Sequence, residues 1–291
     1  MKTLEHILDK VAVKKTEGNI SMEIGQLHFD SRKIGEKDAF VAVSGTQVDG
    51  HEFIEKAIEQ GASAIICERM PDSLNEDVCY VQVANTAKSL GQLASNFYDN
   101  PSSKLRLVGI TGTNGKTTVA SLLYQLFRDL GYGAGLISTV KYVINEVEFP
   151  STHTTPDAIR INSLLAEMVD EGCEYCFMEV SSHAISQARI EGLEFTGAAF
   201  TNITHDHLDY HKTFGQYINT KKELFDGLSS SAFALTNKDD RNGSVMVQNC
   251  RASRYTYSIN SMADFKGRII EQDFNGMLLE VSGKEAWYAQ S

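Results

Sequence analysis

Gly109-Ile110-Thr111-Gly112-Thr113-Asn114-Gly115-Lys116-Thr117-Thr118 decides the reading of this chain. The apolar run Leu105 to Ile110 enters it, and a helix-period run, Val119 to Leu130, leaves it. Strand, glycine-rich loop and Lys-Thr at a helix start form a phosphate-binding layout. Glycines let the backbone turn tightly, so that successive N–H groups point at one anion. The helix N-terminus adds its positive end. Lys116 is placed to reach outer phosphates, and the Thr117 hydroxyl to hold Mg²⁺. The common spacing G-x-x-x-x-G-K-[ST] needs glycine at 110, where this chain has Ile110, so Gly112 and Gly115 work a compact variant. A glycine-rich turn before an ordinary helix has no need of Lys-Thr. The loop alone predicts a bound nucleoside triphosphate and no particular reaction.

Outward from the loop, strand and helix patterns alternate. Before it, residues 4–13 carry an amphipathic helix pattern, and Ala39 to Val43, Ala64 to Cys67 and Val78 to Val83 read as strands. Asn85 to Tyr98 reads as a helix, and Asn100-Pro101-Ser102-Ser103 punctuates it. Residues 1–103 are therefore expected to form a small α/β domain. After the loop come a strand at Gly135 to Ser138, a hairpin and a helix begun near Pro156. Strands at Cys176 to Val180, Ala198 to Ile203 and Phe233 to Thr236 follow, with a helix over Phe214 to Leu228. Such alternation predicts, for 104–291, a mostly parallel sheet with helices on both faces. Ligands then sit beyond the carboxyl ends of the strands. From Arg254 the pattern changes to short strands, two of them joined at Asn275-Gly276. It stops just after Trp287-Tyr288, so the second domain is expected to be incomplete.

The 291 residues carry a formal net charge of −11 and no Lys/Arg cluster, which excludes nucleic acid and anionic membrane as main partners. No apolar run approaches the ~20 residues needed to span a bilayer. The N-terminus lacks a signal-peptide core, so a cytoplasmic protein is expected. Cys173 and Cys176 form a C-x-x-C, but no second pair or histidine stands at zinc-ligand spacing. The five cysteines are expected to be reduced core residues.

Three motifs fall at the predicted strand ends. The first is Glu179-Val180-Ser181-Ser182-His183, with Gln187 and Arg189 beyond it. A carboxylate at the tip of a buried strand is costly unless hydrogen-bonded or metal-bound, and beside a phosphate loop Mg²⁺ explains Glu179 economically. The second, Asn202 to His211, packs three histidines and two aspartates into seven residues. Zinc is the rival there, since imidazole is the commoner zinc ligand. The third is Thr220-Lys221-Lys222-Glu223. Helical periodicity turns Lys221 toward the buried face and Lys222 toward solvent. Lys221 reads either as a snorkelling surface residue or as a buried amine, neutral and able to take up CO₂ as a carbamate.

Taken together, T-G-T-N-G-K-T-T, T-H-T-T-P-D, M-E-V-S-S-H-A-I-S-Q-A-R, F-T-N-I-T-H-D-H-L-D-Y-H and N-K-D-D resemble the Mur ligases in order and spacing. D-S-R at 30–32 and F-V-A-V-S-G-T-Q-V-D-G-H at 40–51 are similar to that family's uridine-nucleotide domain. The pattern sits nearest the member that adds the third amino acid to UDP-N-acetylmuramoyl-L-alanyl-D-glutamate. The resemblance implies ATP on Gly112, Thr113, Asn114, Gly115, Lys116, Thr117 and Thr118, with Asn237 and Asp240 by the adenosine. It implies two Mg²⁺ ions, one on Thr117 and Glu179, the other on Glu179, His207 and a carbamylated Lys221. The uridine end is expected near Ser31, Arg32, Asp49, Gly50 and His51. The muropeptide is expected at Thr154, Thr155, Ser182, Gln187 and Arg189.

The implied reaction is ATP-dependent amide formation through an acyl phosphate. The partners are the UDP-dipeptide and an amino acid, meso-diaminopimelate ahead of L-lysine, and the protein is expected to be a monomer. The family's C-terminal domain, which binds the amino acid and closes over ATP, lies beyond this sequence. The chain is therefore expected to bind nucleotides and ligate nothing alone. Two alternatives stand beside this reading: a folylpolyglutamate-synthase-like ligase, which lacks the separate uridine domain, and a non-catalytic nucleotide-dependent binding module.

Overall fold

The computed structural model describes residues 1–45, 48–204, 213–273, 276–283 and 286–290, the last five by backbone alone. The chain divides into two compact units. Residues 1–104 form the first together with 156–170 and 187–193; residues 105–155, 171–186 and 194–291 form the second.

In the first unit the sheet order is Val13–Glu17, Cys79–Val83, Ala64–Cys67, Ala39–Val41 and Leu27–His28. All neighbours are parallel except the first pair. Ala64–Cys67 is buried throughout, which is why it reads as an unbroken apolar run rather than an alternating one. Helix Thr86–Phe97 covers one face. Asn85 starts it by accepting the Lys88 N–H through its side chain at 2.8 Å. Its Leu90, Leu93 and Ala94 pack with Leu4, Ile7, Ile24 and Val81. Ala158 joins the same cluster, from helix Ala158–Asp170, so a helix that follows the phosphate loop in sequence completes the first unit's core. Phe40, Ile65 and Tyr80 form the opposite core with Ile54 and Ala57.

One expectation fails here. The helix over 4–13 is a single turn, Leu4–Ile7, and the chain reverses at Lys10, whose φ is 58°. Residues Val13–Glu17 instead pair antiparallel with Cys79–Val83 as an exposed edge strand. Lys14 and Lys15 on that strand discourage pairing with another chain.

The second unit holds an eleven-stranded sheet. Its seven central strands are parallel: Ala134–Ile137, Tyr175–Glu179, Arg106–Thr111, Gly197–Phe200, Phe233–Asn237, Ser253–Ser258 and Phe265–Asp273. Antiparallel strands Lys141–Ile144 and Val147–Pro150 close one edge. Gly276–Ser282 and Ala286–Gln290 extend the other. After Arg106–Thr111 the chain places its next four strands on one side of it and the following ones on the other. That switch puts the phosphate loop where open α/β sheets gather ligands. Helix Lys116–Asp129 lays Val119, Leu123, Tyr124 and Phe127 on Val108, Ile110, Leu136, Val143 and Phe177. All five cysteines are free and buried. No helix among the described residues is long and apolar enough to cross a membrane.

Candidate functional site

The strand registers align Glu179 with Ile110, and Phe200 with both Thr111 and Thr236. Their carboxyl ends therefore share one edge, and the 111–118 loop leaves from its middle. Gly112 adopts φ 151° and Gly115 φ 83°. A Cβ on Gly112 would stand 1.9 Å from Thr201 Oγ1, so this position excludes a side chain on space as well as conformation.

The loop is held by the end of the neighbouring strand. Thr113 N–H donates to the Asn202 carbonyl at 2.8 Å, and Asn114 N–H to Asn202 Oδ1 at 3.1 Å. Thr201 Oγ1 and Asn202 Nδ2 both donate to the Asn114 carbonyl, at 2.7 and 3.1 Å. Thr204 N–H donates to Thr113 Oγ1 at 3.0 Å, which also meets the Tyr217 hydroxyl at 3.2 Å. At a net ~0.5–1.5 kcal/mol each, these bonds set the loop's shape before any ligand does. The Thr113 and Asn114 amides are thus spent on protein acceptors. The first intrahelical bond runs from Val119 N–H to the Gly115 carbonyl, leaving the amides of 115–118 outside the helix ladder as the anion-facing set. Thr117 and Thr118 sit within that first turn.

Two lysines converge on one carbonyl. Lys116 Nζ donates to the Gly112 and Thr113 carbonyls at 3.0 and 2.9 Å, and Lys221 Nζ to the Gly112 carbonyl at 2.9 Å. Lys221 is 1% exposed on helix Phe214–Asp226, its Nζ 4.6 Å from the Tyr217 ring centroid. The buried reading of Lys221 is therefore the one the structure adopts. Lys222 departs from its expected solvation: it is buried as well, its Nζ 2.6 Å from both Asp226 carboxylate oxygens one turn on. An i,i+4 partner lets a lysine lie along its helix instead of projecting from it.

Glu179 is 0% exposed, at the end of its strand. Its Oε1 accepts the Thr139 N–H at 2.8 Å and its Oε2 the Thr139 hydroxyl at 3.3 Å. No lysine, arginine or histidine among the described residues makes an ion pair with it. A dry carboxylate with two donors and no counter-cation fits a hard divalent cation, as does a threonine hydroxyl in the first helical turn nearby. The Glu179 backbone carbonyl accepts from Thr155 Oγ1 at 2.8 Å. Thr155 and Ser182 are buried, whereas Thr154 is half-buried. Asn237 Nδ2 donates to the Thr201 carbonyl at 2.9 Å, and Asp240 Oδ2 accepts the Ile203 N–H at 2.8 Å. Both side chains thus secure the segment that leads into 205–212. His207 and the rest of its histidine-aspartate motif lie outside the described residues, and no cluster of metal-ligand type occurs among the described ones.

The first unit carries the other expected residues. Ser31 is buried at the start of the short helix Ser31–Lys33, while Arg32 is exposed and clasps Asp30 at 2.8 Å. The Arg32 side chain holds the Asp30 carboxyl down at about 2. His51 Nδ1 lies 2.7 Å from Asp49 Oδ1, and its Nε2 accepts the Glu68 N–H at 2.9 Å. Acceptance at Nε2 leaves the proton on Nδ1 for Asp49. The His51 backbone N–H, then its ring, then Arg69 hold the Asp49 carboxyl well below the usual range. A Cβ on Gly50 would stand 2.6 Å from the Val43 carbonyl oxygen. Gln187 Oε1 accepts from Arg189 at 2.6 and 3.1 Å. A cavity of roughly 250 Å³ opens beside Asp30, lined also by Lys33, Tyr98 and Arg160.

Sequence reading named Asn202 only as the start of the histidine-aspartate motif and gave Thr139, Thr201 and Tyr217 no role. Their signal was position: Thr139 and Asn202 each lie two residues past a strand end, after Ile137 and Phe200, on the edge where the loop opens.

A phosphate loop, a buried carboxylate level with it and a parallel sheet that switches direction there define a P-loop nucleotide-binding protein. The chain belongs to the Mur ligase family: the Mur ligase middle domain model matches residues 110–288, and a Mur ligase family catalytic domain model matches 23–98. A relative from Phocaeicola vulgatus, described as UDP-N-acetylmuramoyl-L-alanyl-D-glutamate--2,6-diaminopimelate ligase, is 54% identical over 282 residues. The match covers 97% of this chain and 58% of the relative, so the chain spans less than two thirds of that protein's length. A solved structure bearing the same description superposes with a TM-score of 0.83 at 23% identity, covering 100% of this chain and 59% of the other. Folylpolyglutamate synthase from Mycobacterium tuberculosis, complexed with ADP and AMPPCP, aligns at a TM-score of 0.53 and 16% identity. That alignment covers 69% of this chain and 53% of the synthase.

Proposed function

We propose that this chain forms the substrate- and ATP-binding parts of a cytoplasmic bacterial ligase. The enzyme joins meso-diaminopimelate to UDP-N-acetylmuramoyl-L-alanyl-D-glutamate with hydrolysis of ATP to ADP and phosphate. The observation that carries the reading is Glu179, a buried carboxylate with no ion pair among the described residues and level with a preshaped phosphate loop. Similarity to the diaminopimelate ligases over 97% of the chain supplies the substrate class.

A carboxylate is a poor acyl donor, because an amine must expel oxide from it. Phosphorylation makes phosphate the leaving group. In the proposed course the glutamyl γ-carboxylate oxygen attacks the γ-phosphorus, the bond to ADP breaks, and the amine then displaces phosphate from the acyl carbon. The obstacle is anion meeting anion. Here the amides of 115–118 and Lys116 receive the phosphate oxygens, and the helix end orients them. Thr117 and Glu179 would hold one Mg²⁺; Glu179, His207 and carbamylated Lys221 a second. Those ions, when bound, contribute positive charge along the phosphates.

Lys221 suits a carbamate. It shares the Gly112 carbonyl with Lys116, so the two nitrogens lie within about 6 Å of each other, where like charges repel. The neutral amine is the form that adds CO₂, and Lys221 is 1% exposed. In the first unit Ser31, Arg32, Asp49, Gly50 and His51 would take the uridine end. Thr154, Thr155, Ser182, Gln187 and Arg189 would take the muropeptide. A monomer suffices for this scheme.

Titration calorimetry tests the reading. UDP-N-acetylmuramoyl-L-alanyl-D-glutamate and Mg²⁺ with a non-hydrolysable ATP analogue are each expected to bind. Lys116→Ala should weaken the analogue at least tenfold and leave the UDP-dipeptide unchanged. Analogue binding with no heat from the UDP-dipeptide would refute the ligase and favour a nucleotide-dependent binding module.

A further inference from the structure

We infer that Thr139, an exposed residue at a hairpin tip, is a positioning residue that aims the Glu179 carboxylate at its cation. The inference rests on the metal role proposed for Glu179. Thr139 is solvent-exposed, yet among the described residues it supplies both donors on that 0% exposed carboxylate. Its N–H engages Oε1 and its hydroxyl Oε2. A carboxylate oxygen offers about two lone-pair directions. One donor on each oxygen fixes the plane of the group and leaves a free direction on each for a cation.

The tip itself is fixed. Ser138 Oγ donates to the Lys141 carbonyl at 2.8 Å, and Ser151 Oγ to the Ser138 carbonyl at 2.9 Å. The Thr139 amide is therefore delivered by a stapled turn. Its hydroxyl also lies 3.0 Å from Thr154 Oγ1. One hydroxyl has one proton, and the carboxylate can only accept. Thr139 Oγ1 is the donor to both acceptors, at 3.0 Å to Thr154 Oγ1 and 3.3 Å to Glu179 Oε2, so its one proton serves one of them at a time while its amide stays on Oε1.

The test measures metal affinity rather than turnover. Mn²⁺ binding to the chain with a non-hydrolysable ATP analogue is followed by electron paramagnetic resonance. Outer partners of metal ligands typically contribute 10–100-fold in affinity, and the retained amide places Thr139→Val at the lower end, about tenfold. Thr139→Ser should restore affinity to within about threefold, which a purely structural role would not require. Thr139→Ala serves should the valine variant fold poorly, and thermal melting of each variant separates the two causes. Glu179→Gln is the control. If it loses Mn²⁺ while Thr139→Val and Thr139→Ala bind as the native chain does, Thr139 does not position the carboxylate. If Glu179→Gln itself binds Mn²⁺ normally, the metal role of Glu179 falls, and this inference with it.

Discussion

Gly112→Ala and Gly115→Ala form a matched pair, because both glycines have positive φ in the same loop and differ in their surroundings. Gly115, at φ 83°, has nothing within 4 Å of a built Cβ. An alanine there meets only the left-handed penalty of about 1–2 kcal/mol. Gly112, at φ 151°, has Thr201 Oγ1 at 1.9 Å, with the Asn202 carbonyl oxygen and amide nitrogen at 3.0 and 3.1 Å. Rotating Thr201 away relieves the closest contact but gives up its 2.7 Å bond to the Asn114 carbonyl. The Asn202 backbone contacts cannot be relieved by any rotamer. Strain of ~1–3 kcal/mol and a lost hydrogen bond of about 1 kcal/mol give Gly112→Ala roughly 3 kcal/mol in total. For a domain of this size that is a fall of about 6–12 °C in Tm, against about 2–8 °C for Gly115→Ala. Calorimetric melting of both variants checks this. Gly112→Ala/Thr201→Ala should recover little, since the backbone clash persists. Equal Tm for the two single variants, or full recovery in the double one, would refute the account of why Gly112 is glycine.

Further outcomes follow from the same neighbourhood. Lys221→Met should keep the fold, because a thioether fills the buried stem's place, yet abolish Mn²⁺ binding with the ATP analogue. Incubation of the native chain with ¹³C-bicarbonate should give a carbamate signal by nuclear magnetic resonance that Lys221→Met lacks, and the same signal in both would remove Lys221 as its site. Tyr257 donates its hydroxyl to the Phe200 and Thr201 carbonyls, at 3.2 and 3.4 Å, and burial pushes it up to about 12. Its folded value exceeds the ordinary one, so its contribution is complete below about pH 10 and is lost as pH rises toward 12. Tyr257→Phe should cost about 1 kcal/mol at neutral pH and flatten the alkaline fall of Tm, and an unchanged alkaline limb would contradict this.

The parallel sheet was legible because its strands are buried on both faces and therefore read as apolar runs bounded by turns. Ala64–Cys67 and Phe233–Asn237 fall within a residue of their expected ends. Val13–Glu17 was illegible for the opposite reason: an exposed edge strand owes its conformation to its partner Cys79–Val83, not to its own periodicity. Lys222 misled because helical phase alone cannot register a neighbour such as Asp226. At the site, the loop and Glu179 stood out by residue type, since glycine, lysine and a strand-end carboxylate carry chemistry in themselves. Thr139 and Asn202 are ordinary residues there, and only the register of separate strands gives them a task.

The first unit's discontinuity has a consequence for how the molecule is made. Chain passes between the units at residues 104/105, 155/156, 170/171, 186/187 and 193/194. The apolar face of Thr86–Phe97 is completed only by Ala158 and its helix, so a ribosome must reach Asp170 before that core can close. The N-terminal hundred residues thus wait, half-covered, while the phosphate loop is being translated. A fragment cut at 104 would leave Leu90, Leu93 and Ala94 without a full set of neighbours, a poor candidate for independent expression. What the gene writes as three separated stretches, 1–104, 156–170 and 187–193, is one compact unit.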